Sequence, residues 1–307
     1  MLTRTLLLQM AQNRGLETFA RKNSLAVRIA RRFIAGETLE EIVEPVRALN
    51  QAGMTATLDY LGESITSPKE VEQVVTTYFN LMSLIRREQL KASISLKLTS
   101  LGLDIDPDLA QRNLDTLVKA ALPDLFIRID MEGSAYTQKT LDIFYTILKK
   151  RPEYQNHLGV VIQAYLYRSE ADIEELIRLK ARVRLCKGAY KEPPAIAFQK
   201  PDDIRANYLK LMQRLLLEGN YPALATHDLQ LITAAKLFAK EHNISKDRFE
   251  FQMLYGVRRP LQQQIAKEGY NIRIYTPFGD HWYPYTMRRL AERPANLWFA
   301  LQSFLRR

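Results

Sequence analysis

Apolar residues recur at two different periods along this chain, and the change of period divides it. Leu25, Ile29 and Phe33 fall four residues apart while Arg28, Arg31 and Arg32 turn elsewhere, the spacing of one helix face. Thr38 stands three residues before Glu41, a capping-box spacing that predicts a helix opening at EEIVEPVRALN. Residues 1–50 are therefore expected to form a helical arm. From residue 54 short β-rich runs take over: MTATLDYL (54–61), ISLKLTSLG (94–102), LFIRIDME (125–132) and LGVVIQAYL (158–166). RVRLCKGA (182–189), ALATHD (223–228), FEFQMLYG (249–256) and IRIYTPFG (272–279) follow. Amphipathic stretches such as VEQVVTTYFNLMSLIRREQL, ADIEELIRLKA and DDIRANYLKLMQRLLLEG lie between them. Strands alternating with helices imply parallel βαβ units, and eight such strands close a barrel. The predicted fold is α/β: a TIM-type (β/α)8 barrel over residues 51–307 that ends in a C-terminal helix, preceded by the arm. No Gly- or Ser-rich linker interrupts the series.

The second half of nearly every predicted strand carries a polar group where a barrel core favours Val, Ile and Leu. In chain order these are Asp59, Lys97, Asp130 with Glu132, Gln163, Arg184 with Lys187, His227, Gln252 and Tyr275. A buried charge is costly unless paired. One such residue could be structural, with Lys97 paired to Asp130 across adjacent strands, for example. Recurrence at the carboxyl-terminal ends, where barrel enzymes carry their chemistry, points to an active site.

After Tyr275 the segment TPFGDHWYPYTMRRLAERP reads as a loop and a helix that Pro294 ends. Tyr285, Arg288, Arg289 and Glu292 fall at i, i+3, i+4 and i+7, one stripe of that helix. Two arginines braced by a glutamate form a fork that grips a carboxylate. The same spacing also suits a solvated face with an Arg288–Glu292 pair. Spacing alone leaves both readings open.

Composition removes several other classes. The chain carries 44 Lys and Arg against 34 Asp and Glu, a formal charge of +10. The basic residues are dispersed and many have nearby acids, as in EELIRLKARVR, so a solvated surface is expected and nucleic-acid binding is not. Weak attraction to acidic lipid stays open. The single cysteine, Cys186, excludes an internal disulfide and suits a buried core position in a reducing compartment. The apolar run in MLTRTLLLQMAQNRG is too short for a signal-peptide core, and no stretch nears the ~20 apolar residues that span a bilayer. The four histidines lack metal-ligand spacing, so no metal is expected. GxSxG does not occur, and no two of the 12 glycines are spaced Gly-x-Gly. A nucleotide cofactor would have to be held by barrel loops, such as the KGAY turn and the THD turn.

These motifs together resemble the monofunctional bacterial proline dehydrogenases, whose barrel is shared with the first domain of the bifunctional proline utilization A proteins. The matching segments are LDYLGE (58–63), SLKLTSLG (95–102), RIDMEG (128–133), QAYLYR (163–168) and RLCKGAY (184–190). ATHD (225–228), EFQMLYG (250–256), RIYTPFG (273–279) and YTMRRLAE (285–292) complete the series, in family order over residues 50–292.

The resemblance implies an FAD flavoprotein, an oxidoreductase that converts L-proline to Δ1-pyrroline-5-carboxylate by hydride transfer from C5 to flavin N5. Carried over position by position, Arg288, Arg289 and Lys97 would hold the proline carboxylate, Asp130 would pair with Lys97, and Glu292 would brace the arginines. Tyr275, Tyr285 and Leu254 would wall the ring. Asp130 and Arg184 would be catalytic, Arg184 beside flavin N5. Met131, Gln163, Lys187, Gly188, Ala189, Thr226 and His227 would contact FAD. Two departures stand out: Asp228 where many relatives have Asn, and KEPP after GAY. The family passes its electrons to membrane quinones and hands its product to a pyrroline-5-carboxylate dehydrogenase, here expected to be a separate enzyme. A cytoplasmic location follows, with peripheral contact on the inner face of the membrane an open addition. Leu297, Trp298, Leu301, Phe304 and Leu305 form an apolar stripe that fits either a last helix packed on the protein or an anionic membrane interface. Competing readings are a cofactor-free Schiff-base lyase or aldolase using Lys97 or Lys187, and a non-catalytic basic binding module.

Overall fold

The computed structural model describes residues 11, 13–62, 65 and 67–292, with no side-chain description for residues 14, 25 and 292. The C-terminal apolar stripe from Leu297 onward lies outside the described residues.

All eight predicted runs form strands: β1 Thr55–Tyr60, β2 Ala92–Leu96, β3 Ile127–Ile129, β4 Leu158–Gln163, β5 Arg182–Cys186, β6 Ala223–Ala225, β7 Glu250–Leu254 and β8 Asn271–Phe278. Each pairs in parallel with the next, and β8 returns to β1 through the register Thr55↔Arg273 to Tyr60↔Phe278, so the sheet closes without an edge. The outer ring begins with the Pro68–Arg87 helix. Ser67 and Glu70 cap it reciprocally and Pro68 opens it, a start that needs no backbone donor. Its buried face, from Val71 and Val74 to Leu81 and Ile85, follows the helical repeat against the sheet.

The outward residues of the strands, such as Ala56, Leu58, Ile94 and Leu96, are fully buried under these helices. The lumen is another matter. Arg184 on β5 reaches Ser95 on β2, and Tyr275 on β8 reaches Asp130 just past β3, bonds between non-adjacent strands that only side chains inside the barrel can make. At the amino-terminal end Glu250 receives Arg273 Nε at 2.9 and 3.1 Å and Gln252 Nε2 at 2.5 Å. Arg128, also fully buried, donates to the carbonyls of Val160 and Arg182 and lies over the Phe126 ring. Burial alone would raise the Glu250 carboxyl, but Arg273, the Arg128 charge and Gln252 outweigh it and hold the group down at about 2.

The arm differs from its expected outline. The capping pair at residues 38 and 41 does not open a helix: Thr38 Oγ1 accepts the Glu41 N–H at 3.4 Å, but the Glu41 carboxylate turns back to the Glu37 N–H at 2.9 Å. The helix begins at Val43 and runs to Gln51. Ile42 and Val46 belong to the barrel core, whereas Ala30, Phe33 and Ile34 pack in a second cluster with Trp282, Tyr285 and Leu290. The arm is fastened beside β8 by Ala35 N–H to Pro277 O (2.9 Å) and Gly279 N–H to Gly36 O (3.0 Å). It also passes tightly against Gly256, whose φ is +72° and where a Cβ would lie 1.7 Å from Arg32 O.

Two outcomes follow. Gly256→Ala should cost roughly 2–4 kcal/mol and open the arm near residue 32 to limited proteolysis, since both the positive φ and the carbonyl oppose a methyl group. Glu250 contributes stability that is complete above its ordinary value of 4.5 and lost as pH falls toward about 2. Glu250→Gln should therefore flatten the fall in urea midpoint between those values. At neutral pH it should cost about 3–5 kcal/mol, because Arg273 then stays buried without its counter-charge.

Candidate active site

The carboxyl-terminal half of the lumen gathers the strand-end polar residues into one rank. Arg184 Nη1 donates to Asp130 Oδ1 at 2.6 Å and Nη2 to Ser95 Oγ at 2.8 Å, with Ser95 Oγ in turn 3.1 Å from Thr57 Oγ1. Tyr275 Oη donates to Asp130 Oδ2 at 2.6 Å, and the Arg184 guanidinium lies 5.3 Å from the Tyr275 ring centre. Lys97 Nζ meets both oxygens of Asp59 at 3.1 Å. Lys97 and Asp130 are thus near neighbours in the rank, but the expected pairing is exchanged. Asp59 takes the lysine, because both project inward from adjacent strands, and Asp130 takes the arginine across the lumen.

Burial, then the negative charges of Asp130 and Asp59, hold the Tyr275 phenol well above its ordinary value. It remains a neutral donor. Asp59 is raised as well, chiefly by its own burial, which the Lys97 charge only partly offsets. Cys186, at the end of β5, is pushed up to about 12 by burial and serves as no nucleophile.

The helix after β8, Trp282–Glu292, brings its stripe to the same end. Tyr285 is buried in the cluster that also receives Leu61, Val257 and the edge of Leu254, so two of the residues expected to wall a substrate ring meet there. Arg288 and Arg289 are half-buried, and the Arg289 guanidinium lies 5.1 Å from the Tyr285 ring centre. The Glu292 side chain lies outside the described residues.

The loops after β3 to β6 hold the remaining residues. Met131 is buried, and Gln163 Nε2 donates to Glu132 O at 2.9 Å. Gly188 has φ +111° and its Cα faces the Tyr165 ring so closely that a Cβ would lie 2.2 Å from it, which restricts the position to glycine. Ala189 is exposed beside it. Thr226 Oγ1 accepts the Asp228 N–H at 3.0 Å, turning the THD loop. His227 Nε2 accepts the Leu254 N–H at 2.9 Å, which places the proton of the neutral ring on Nδ1. Lys187 Nζ donates to Asp228 Oδ2 at 2.7 Å, joining the KGAY and THD loops.

Three participants had no distinct sequence signal. Ser95 is one small residue in a β run. Glu192 receives the Ser134 N–H at 2.7 Å and the Ser134 hydroxyl at 2.5 Å, latching the loop after β5 onto the helix after β3. Arg205 also reaches Asp228. An acid shortly after KGAY was the only trace of the latch.

The arrangement suits an anionic ligand rich in hydrogen-bond acceptors. Arg184 Nε is buried with no hydrogen-bond partner among the described residues, a donor left over at the mouth of the lumen. Lys187 on the loop after β5 and Arg205 on the Pro201–Glu218 helix add cationic donors. Among the described residues no group of three or more His, Cys, Asp or Glu could hold a metal ion, and no helix is long and apolar enough to cross a membrane.

A family model described as proline dehydrogenase matches residues 42–302. The chain is 42% identical over 308 residues to proline dehydrogenase 2 of Bacillus subtilis, covering 100% of both chains. It is 39% identical to the proline dehydrogenase of Deinococcus radiodurans, over 99% of this chain and 98% of that one. Among solved structures, proline utilization A of Bdellovibrio bacteriovorus, inactivated by N-propargylglycine, superposes with a TM-score of 0.81 at 27% identity. That likeness covers 87% of this chain and 33% of the longer one.

Proposed function

The chain belongs to the proline dehydrogenase family, and on that premise we propose that the mouth of its barrel binds L-proline against FAD and oxidises the ring to Δ1-pyrroline-5-carboxylate. The observation that carries this reading is the rank of charges at the strand ends, capped by the two arginines after β8. Bound FAD supplies the acceptor for the hydride leaving C5 of proline. The protein's share is orientation and charge.

Arg288, Arg289 and Lys97 hold the substrate carboxylate, the arginines as a bidentate fork. Tyr275, Tyr285 and Leu254 enclose the pyrrolidine ring, and Glu292 braces the fork. Arg184 is held by Asp130 and Ser95. Its charge would offset negative charge on the bound cofactor, and Asp130 would keep it aimed. Met131, Gln163, Lys187, Gly188, Ala189, Thr226 and His227 line the cofactor's course. The electrons pass to a membrane quinone, with the enzyme in the cytoplasm or at the inner membrane face, and a separate pyrroline-5-carboxylate dehydrogenase takes the product.

A Schiff-base lyase needs a neutral lysine amine. Both candidates instead donate to carboxylates, Lys97 to Asp59 and Lys187 to Asp228. That arrangement engages both amines with acidic partners and supports the oxidoreductase reading.

Purified protein should show flavin absorption that bleaches on anaerobic addition of L-proline; a colourless folded preparation that cannot be reconstituted with flavin would end the proposal. Arg288→Met and Arg289→Met should each raise KM for proline about 10- to 100-fold, the worth of a charge-assisted bond, while flavin stays bound. An unchanged KM in both would remove the fork from the site.

A further inference from the structure

The Asp228 carboxylate ties together three elements around the expected cofactor loops. Its Oδ2 accepts Lys187 Nζ at 2.7 Å and Arg205 Nε at 3.1 Å, and its Oδ1 accepts the Gln230 N–H at 3.1 Å. Lys187 follows β5, Arg205 lies in the Pro201–Glu218 helix, and Asp228 caps the Leu229–Glu241 helix. Burial opposes ionisation here, but the bonds from Lys187 and Arg205 prevail and the carboxyl stays at about 2. Two cations therefore share one partly buried carboxylate. Arg205 has a second acidic neighbour, Asp202 at 2.6 Å, but that side chain is 90% exposed and its charge is screened by water.

Both cations keep unspent donors among the described residues. Lys187 makes one hydrogen bond among the described residues with an ammonium that has three protons, and Arg205 uses Nε and Nη1 of a guanidinium that has five. Lys187 directly precedes the Gly188 turn, and Asp228, which both cations reach, donates its backbone N–H to Thr226 Oγ1, so the pair adjoins residues proposed above to line the cofactor's course. Resting on that flavin reading, we propose that Asp228 is a positioning residue that presents Lys187 and Arg205 as a pair to the phosphate arm of the dinucleotide, with Arg205 contacting that arm directly.

The test is FAD affinity of the full chain stripped of flavin, measured by fluorescence quenching at several salt concentrations. Arg205→Met should weaken FAD about tenfold and reduce the salt dependence, because one charge pair with phosphate is lost. Arg205→Lys, which keeps the charge, should recover part of the affinity. Asp228→Asn retains an equivalent helix cap, so the fold should hold. By charge alone it would tighten FAD, since it removes a negative group near phosphate. A severalfold weaker affinity would instead report lost positioning. Unchanged affinity in Arg205→Met, or a loss with an unaltered salt dependence, would overturn the proposal, as would tighter binding in Asp228→Asn. Wild-type protein that binds no FAD at all would sink the flavin reading itself.

Discussion

A charge inside a closed barrel has little water to turn to, so it must find a counter-charge or other hydrogen-bond partners within the lumen. In this chain the rule fixes Arg184 against Asp130, a pair whose side chains are only 6% and 12% exposed. Tyr275 then closes on the other oxygen of Asp130, and Ser95 on the other arm of Arg184. Four strands are committed by one ion pair. Truncating either partner would strand a charge, so the site's geometry and the barrel's stability rest on the same contact. A similar knot of Glu250, Arg273 and Gln252 closes the amino-terminal end. With both ends locked by charge, the lumen presents a rigid wall to whatever docks at its mouth.

The arm serves the other wall. The helix that carries Arg288 and Arg289 is held from outside the barrel, by a cluster in which Ala30, Phe33 and Ile34 of the arm meet Trp282 and Leu290. Trp282 Nε1 donates to Glu37 Oε1 at 3.0 Å, adding a polar anchor at the helix start. The arm is therefore part of what supports the helix carrying Arg288 and Arg289, although none of its described residues stands in the charged rank. The barrel's charges organise the lumen, and the arm's packing holds the helix beside it.

The barrel was legible because period and polarity change together at each strand: eight β-rich runs give eight strands. Several inward polar residues at the strand ends, among them Asp59, Asp130, Arg184 and Tyr275, were also legible, whereas Arg128, Glu250 and Arg273 at the other end were not. Partner choice was not. Lys97 and Asp130 are near in pattern, but the pairing of Asp59 with Lys97 and Asp130 with Arg184 depends on the register between strands and on reach across the lumen. Sequence fixes neither. The Thr38–Glu41 pair failed for a related reason. Its spacing is right, but Glu41 finds the Glu37 N–H and Arg31 in the turn that leads from the arm into the barrel. Ser95, Glu192 and Arg205 act through tertiary contacts that leave no periodic mark.

Asp228 shows how a single departure from a familiar motif acquires meaning only in three dimensions. In the sequence it is one negative charge set where a cofactor is expected, seemingly at odds with a phosphate. In the fold, Lys187 and Arg205 converge on it, so the local balance favours positive charge at the loops. The acid is what holds two long, flexible cations in one place, and a cation held in advance loses less freedom when it meets its ligand. The carboxylate at 228 and the one at 130 thus do the same work on different cations: each holds a long, flexible side chain to one position through short hydrogen bonds.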